Sequence, residues 1–186
     1  MESIDKLAKL HDLMKEIETC LRCYEEFEDM TEEDRIKVRD WYLRGPWFFP
    51  PDKSGVKGFF GTSDVIFVCL RPSTGAFNKA TELFYELLKN TGFSNAHLTD
   101  MVKCRGKAGE ISRTEVENCL PFLNKEIEIL KPRIIIAVGD AVYKELKDKF
   151  HNVKKIPHYS YAYRWEKKKK LEMLLKKISK NQKDCY

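Results

Sequence analysis

Arg133-Ile-Ile-Ile-Ala-Val-Gly139 decides how this chain folds. The unbroken apolar run has no polar face to show to water, so a strand made from it is covered on both sides. Asp64-Val-Ile-Phe-Val-Cys-Leu70 is a second run of the same kind, closed by the loop residues Arg71-Pro-Ser-Thr-Gly75. Ala96 to Asp100 forms a brief third strand and Val153 to Ile156 a last one. Between the strands the apolar residues change to helical spacing. Leu83, Phe84, Leu87 and Leu88 mark a helix from about Asn78 to Asn90, a second runs from Thr114 to Leu130, and a third opens at Gly139 and carries Val142, Leu146 and Phe150. Strands without alternation, separated by helices, predict an α/β fold with a parallel sheet between helical layers. Functional groups in such folds gather at the carboxyl ends of the strands. That rule selects Arg71–Thr74, Thr99–Lys103, Gly139–Asp140 and His158–Arg164.

Residues 2 to 18 place Ile4, Leu7, Leu10, Leu13, Met14 and Ile17 on one face of an amphipathic helix. Thr31-Glu-Glu-Asp34 opens another with a fitting N-cap, running to about Leu43. Gly45-Pro-Trp-Phe-Phe-Pro-Pro-Asp52 breaks all periodicity and predicts an ordered aromatic loop. A basic helix from about Glu166 to Lys180 closes the chain. Its lysines (Lys167 to Lys170, Lys176, Lys177 and Lys180) serve either as a solvated face opposite Leu171, Leu174, Leu175 and Ile178 or as phosphate contacts. The 186 residues predict a single domain over 1–186, with N-terminal helices in 1–43 and the basic helix in 166–180. No stretch approaches the roughly 18 apolar residues of a membrane span. The start of the chain reads as a charged amphipathic segment rather than a signal peptide, so a cytoplasmic monomer without membrane contact is expected. A net charge of +5 admits a polyanionic partner without requiring one.

Four of the six cysteines stand out as Cys20-Leu-Arg-Cys23, Cys104 and Cys119. In a cytoplasmic chain, thiols gathered from two distant segments read as metal or cluster ligands before disulfides. Zinc, an iron–sulfur cluster and unligated thiols are the three possibilities. Zinc ribbons usually supply two Cys-x2-Cys knuckles, and here the second pair is spread out. Cys69, inside a strand, reads as a small buried hydrophobe, and Cys185 lies on the tail.

Four stretches, in order along roughly residues 18 to 165, carry a family resemblance: Cys20-Leu-Arg-Cys23; Leu98-Thr-Asp-Met-Val-Lys-Cys-Arg105; Asn118-Cys-Leu-Pro-Phe-Leu123 with Leu130-Lys-Pro-Arg-Ile-Ile-Ile-Ala-Val-Gly139; and Pro157-His-Tyr-Ser-Tyr-Ala-Tyr-Arg164. The chain resembles the uracil-DNA glycosylase superfamily, most of all its thermostable family 4. The resemblance implies a three-layer αβα sandwich around a short parallel sheet of about four strands. It also implies cleavage of the N-glycosidic bond of a deaminated base flipped out of DNA, and a [4Fe–4S] cluster held by Cys20, Cys23, Cys104 and Cys119.

By the same resemblance His158 matches the histidine that donates to uracil O2 and stabilises the leaving anion. Ser160 matches a serine on a DNA phosphate. Tyr161 or Tyr163 would wedge into the gap left by the flipped base, or serve only in packing. Arg71 and Pro72 would floor the base pocket. Ser73, Thr74, Lys103 and Arg164 would meet the DNA, and Phe77 would stack on the base or anchor the following helix. Two departures stand out. Family 4 has a Gly-Glu-Ala-Pro-Gly stretch whose glutamate is thought to activate water; Cys69-Leu-Arg-Pro-Ser73 puts Leu70 there. Uracil readers also carry asparagine where this chain has Asp100. A carboxylate offers acceptors only, which suits uracil N3–H but repels O4. Asp100 is therefore either the reader of a different base or the missing water activator. The competing reading is a glycosylase-shaped module that recognises nucleic acid without cleaving it; a weaker third is a redox sensor whose cluster controls DNA affinity.

Overall fold

A computed structural model describes residues 2–20, 22–23, 55–72, 78–104 and 111–183. The helix expected from Thr31 and the aromatic loop at 45–52 lie outside the described residues, as do Ser73, Thr74 and Phe77. The order is α1 (Glu2–Glu18), a 3-10 turn (Gly58–Phe60), β1 (Val65–Cys69), α2 (Lys79–Asn90), β2 (His97–Asp100), α3 (Arg113–Leu130), β3 (Ile134–Val138), α4 (Asp140–Leu146), β4 (Val153–Ile156), α5 (Tyr159–Arg164) and α6 (Lys168–Lys183).

The four strands form one sheet in the order β2-β1-β3-β4, with every neighbouring pair parallel. Val68 pairs with Thr99 on one side and with Ala137 on the other, and Ala137 pairs with Lys155. β1, β2 and β3 are buried along their whole length, as their apolar runs require. β4 is an edge strand: Lys154 and Lys155 are exposed and only Ile156 is buried, a charged rim that discourages pairing with another chain.

Alternate residues of β1 feed two cores. Val65, Phe67 and Cys69 pack with Leu83, Phe84, Leu87 and Leu88 of α2, and with Leu171 and Leu175 of α6. Ile66 and Val68 pack with Leu10 and Leu13 of α1, Phe122 and Leu123 of α3, and Val142 and Leu146 of α4. The result is the expected αβα sandwich. The helices start where side chains can satisfy their first amides. Asn78 Oδ1 accepts from the amides of Ala80 and Thr81, and Ser112 with Glu115 forms a reciprocal capping box. Lys131, left-handed at φ 49°, ends α3 immediately before Pro132. Gly61 is obligatory for a different reason: a Cβ there would lie 2.0 Å from the Ala96 carbonyl oxygen, so the turn could not close against the start of β2.

Two expectations change in detail, and one element is new. α4 stops at Leu146, and Phe150 packs from the turn beyond it. The final helix begins at Lys168, after Glu166 has taken a left-handed φ of 51°. The segment after His158 folds into the short helix α5. No helix among the described residues is long and apolar enough to cross a membrane.

Candidate active site and cysteine cluster

His158 follows β4 and is the N-cap of α5. Its Nδ1 accepts from the Ser160 amide at 3.2 Å and lies 2.7 Å from Ser160 Oγ. An Nδ1 that accepts from a backbone N–H carries no proton, so the neutral ring keeps its proton on Nε2. Burial lowers the imidazole pKa below its ordinary value and favours the same neutral form. Gly139, at the end of β3, holds φ +101°; its missing Cβ faces His158 Cβ, with 3.7 Å between the two positions. The ring is thus held between a bare glycine backbone and the Tyr159 ring, which stacks on it at 4.3 Å.

Tyr159 links His158 to α2. Its other face stacks on Phe84 of α2 at 4.8 Å. Its hydroxyl pKa is raised chiefly by burial, with the Asp100 carboxylate adding to the effect, and Tyr85 is raised by burial and by its neighbour Tyr159. Asp100, 3% exposed, ends β2 at the same carboxyl edge of the sheet at which His158 follows β4. Leu70 packs on the opposite, α1–α3 side. Position 70 thus supplies only an apolar side chain.

Lys103 corrects an expectation. Lysine at a strand end reads as a DNA contact, yet this one is 2% exposed. Its ammonium binds Glu126 Oε1 at 2.6 Å, the Asp100 carbonyl at 2.7 Å and Thr99 Oγ1. Glu126, itself fully buried, holds His97 Nε2 at 3.2 Å with its other oxygen. Burial pushes the Glu126 carboxyl up, but the Lys103 ammonium and His97 more than offset this and hold it below the ordinary carboxylate value. Lys103 is held inside the fold, where it fixes the backbone from which Asp100 projects.

Arg71, expected in the floor of the base pocket, sends its guanidinium towards α3. Nη2 donates to both carboxylate oxygens of Glu115 at 2.9 Å, and its side chain is only 5% exposed. Pro72 beside it is buried. One turn along α3, Cys119 and Asn118 meet the N-terminal cysteines. Cys23 is in hydrogen-bond contact with both Cys104 and Cys119. Asn118 Nδ2 donates to Cys23 Sγ at 3.6 Å, and the Lys103 amide donates to Cys119 Sγ at 3.3 Å. The bonds from Cys104 and Cys119 favour the Cys23 thiolate and lower its pKa, whereas Cys119, giving its proton towards Cys23, is raised. Cys20, at the end of α1, packs with Cys104 and Leu70 on the same core. Among the described residues no three ligand-type side chains stand at metal-holding spacing; Cys23 meets Cys104 and Cys119 at hydrogen-bond contact. The donor chemistry fits a thiolate-held group: all-sulfur donors, no disulfide, and two N–H groups already aimed at sulfur.

The family model of the uracil DNA glycosylase superfamily matches residues 59–180. The chain belongs to the uracil-DNA glycosylase superfamily. Within it, the chain is similar to a type-4 uracil-DNA glycosylase of Pyrobaculum aerophilum, 44% identical over 72 residues, which are 37% of this chain and 35% of that protein. A type-4 uracil-DNA glycosylase of Sulfurisphaera tokodaii is 27% identical over 104 residues, 53% of this chain and 47% of that one. The chain thus spans less than half the length of either curated relative in these matches.

The fold of this superfamily member leaves an exposed aromatic edge beside His158. Tyr161, Tyr163 and Trp165 are 46%, 47% and 60% exposed, and Arg164 is exposed among them. Ser160 is half-buried against His158. Lys167 lies 4.8 Å from the centre of the Tyr161 ring and donates to its hydroxyl at 2.8 Å. Trp165 was missed from the sequence because it lies past the last recognisable motif residue. The signal available was an aromatic at every second position through 159–165, too many for one buried face of a short helix. His97 and Glu126 were missed too. Glu126 falls between Phe122 and Leu130 on the buried stripe of α3, a position where a lone carboxylate requires a partner.

Proposed function

We propose that this chain is a DNA glycosylase that hydrolyses the N-glycosidic bond of a deaminated base, uracil or a related one, flipped out of DNA. One observation carries the reading: in a chain of this superfamily, a neutral imidazole at 158 and a buried carboxylate at 100 both stand at the carboxyl edge of a parallel sheet. As the bond breaks, its electron pair leaves with the base and the sugar becomes oxocarbenium-like. The His158 Nε2–H donates to the base carbonyl oxygen on which negative charge gathers, so the bond strengthens most in the transition state. The proton stays on Nε2, because Nδ1 is engaged by Ser160. Water then adds to the sugar carbon, and the proton it loses ends on the departing base anion, giving an abasic site and the free base.

Asp100 has two roles open to it, reading an N–H edge of the base or taking the proton of that water. Its acceptor-only carboxylate favours a base with an exocyclic amine or an N–H where it meets the protein. The backbone at Arg71 and Pro72, with Ser73, Thr74 and Phe77, would complete the base pocket. Ser160, Tyr161, Tyr163 and Arg164 would hold the DNA strand. Cys20, Cys23, Cys104 and Cys119 would hold a [4Fe–4S] cluster, with zinc as the alternative. That group supplies a cross-link between the N-terminal helix and α3, and takes no part in bond cleavage.

The test is base release by anaerobically purified protein from oligonucleotides carrying uracil, hypoxanthine, xanthine, a thymine mismatch or unmodified cytosine, followed by alkali. Strand cleavage at one lesion supports the reading and identifies what Asp100 accepts. A second reading, recognition without cleavage, is favoured by Leu70, which leaves no carboxylate at the usual water position. Tight lesion binding with no release from any oligonucleotide would establish that reading instead.

A further inference from the structure

Arg71 is a buried cation whose charge is only partly engaged. Nη2 takes both oxygens of Glu115, while Nε and Nη1 are buried without a hydrogen-bond partner among the described residues. An ionised group left with orphan donors at such depth is expensive unless something anionic faces it. The face of α3 that holds Arg71 also carries sulfur. Glu115, Asn118 and Cys119 lie three and four positions apart and so share a face of α3. Glu115 receives Arg71, Asn118 donates to Cys23 Sγ, and Cys119 contacts Cys23. The positive charge of Arg71 also acts on Cys23. Glu115 cannot leave this arrangement cheaply, because its Oε2 also accepts from the Ser112 amide at 2.7 Å in the capping box.

We infer that Arg71 is a positioning residue of the cysteine centre: its Nε–H and Nη1–H donate to the sulfur atoms of the group held by Cys20, Cys23, Cys104 and Cys119, with Glu115 fixing the fork. This rests on the proposal that those cysteines hold a metal group. A thiolate-held cluster carries net negative charge, and a buried guanidinium beside it stabilises the more reduced, more negative form. The same side chain roots the loop after β1. Occupancy of the cysteine centre and placement of the base-pocket floor are thereby joined through one residue, which replaces the alanine of the Gly-Glu-Ala-Pro-Gly pattern.

The experiment uses the full chain, purified anaerobically, with iron, sulfide and zinc measured first. A graded chelator titration then compares wild type with Arg71→Met, Arg71→Lys and Glu115→Gln. Removing an outer-shell donor typically costs roughly 10–100-fold in metal affinity, so Arg71→Met is expected to lower the chelator concentration for half-removal about tenfold or more. Arg71→Lys, which keeps the charge but loses the fork, is expected to fall between the two. Glu115→Gln keeps the guanidinium and is expected to stay within about threefold of wild type, a threshold set well inside that outer-shell range. If the group is an iron–sulfur cluster, its midpoint potential is expected to move to more negative values in Arg71→Met and to stay near wild type in Arg71→Lys. Equal retention in wild type and Arg71→Met would overturn the inference, as would equal losses in Arg71→Met and Glu115→Gln, which would reduce Arg71 to a tether. A wild-type protein holding neither iron nor zinc would instead overturn the proposal about the cysteines, and this inference with it.

Discussion

Protonating His158 would remove two things at once: the acceptor that caps the Ser160 amide and the neutral ring that its buried surroundings favour. Base release is therefore expected to fall as pH drops through its lowered pKa, measured as single-turnover rate against pH. The stability effect has a definite sign. A histidine whose folded pKa lies below its unfolded value of 6.5 contributes stability that is present in full above 6.5 and lost as pH falls through the folded pKa. His158→Ala is expected to reduce the rate of base release by about 10²–10³-fold, the usual cost of one aimed donor, while duplex binding stays within a small factor. A variant with wild-type rates would remove His158 from the mechanism. Gly139 supports the same ring: alanine there would have to hold φ +101°, a strain of about 1–3 kcal/mol, immediately beside the imidazole.

Among the elements, β2 and α3 share the buried Lys103–Glu126–His97 system, and its energetics are open to a double-mutant cycle. Glu126→Leu alone leaves the Lys103 ammonium buried and uncompensated, with an expected loss of about 3–5 kcal/mol in urea unfolding. Adding Lys103→Met is expected to recover most of that loss, since a buried pair replaced by apolar residues is often nearly neutral. Additive losses would show that the two groups do not act as a pair. Glu126 also brings an acid limit: with its carboxyl held below 4.5, its contribution is present above 4.5 and lost as pH falls through the folded value. The strands and most helices were legible in the sequence because apolar runs and helical spacing are local signals, as β3 and α2 show. The partnerships were not. Lys103 reads as a surface cation until the carboxylate opposite it, more than twenty positions away, is brought up by the fold. Arg71 and Glu115 are likewise joined only by tertiary structure. The motifs around them drew attention to His158 and Asp100, whereas the tautomer of one and the burial of the other appear only in the fold.

At the scale of the molecule, the +5 charge is unevenly carried. α6 buries Leu171 and Leu175 against the α2 layer and leaves Lys169 and Lys170 exposed to solvent. If these lysines meet phosphates, reversing both to glutamate is expected to lower the slope of log affinity against log salt by about 0.9 per lost contact, without changing the unfolding midpoint by more than a few degrees. An unchanged slope would make α6 a solvated buttress whose part is to hold α2 and α5. The sheet has a consequence of another kind. β1 is an inner strand, and one of its two neighbours, β3, is separated from it in sequence by two helices and another strand. During synthesis β1 waits with that side unpaired until Ile134–Val138 clears the ribosome, and α1 waits for α3 before it can bury Leu10 and Leu13. Such long-range pairing is slow and leaves apolar edges open meanwhile. Ribosome-bound chains ending before Ile134 are therefore expected to be cut readily by protease, and those extending past Ile156 to be resistant.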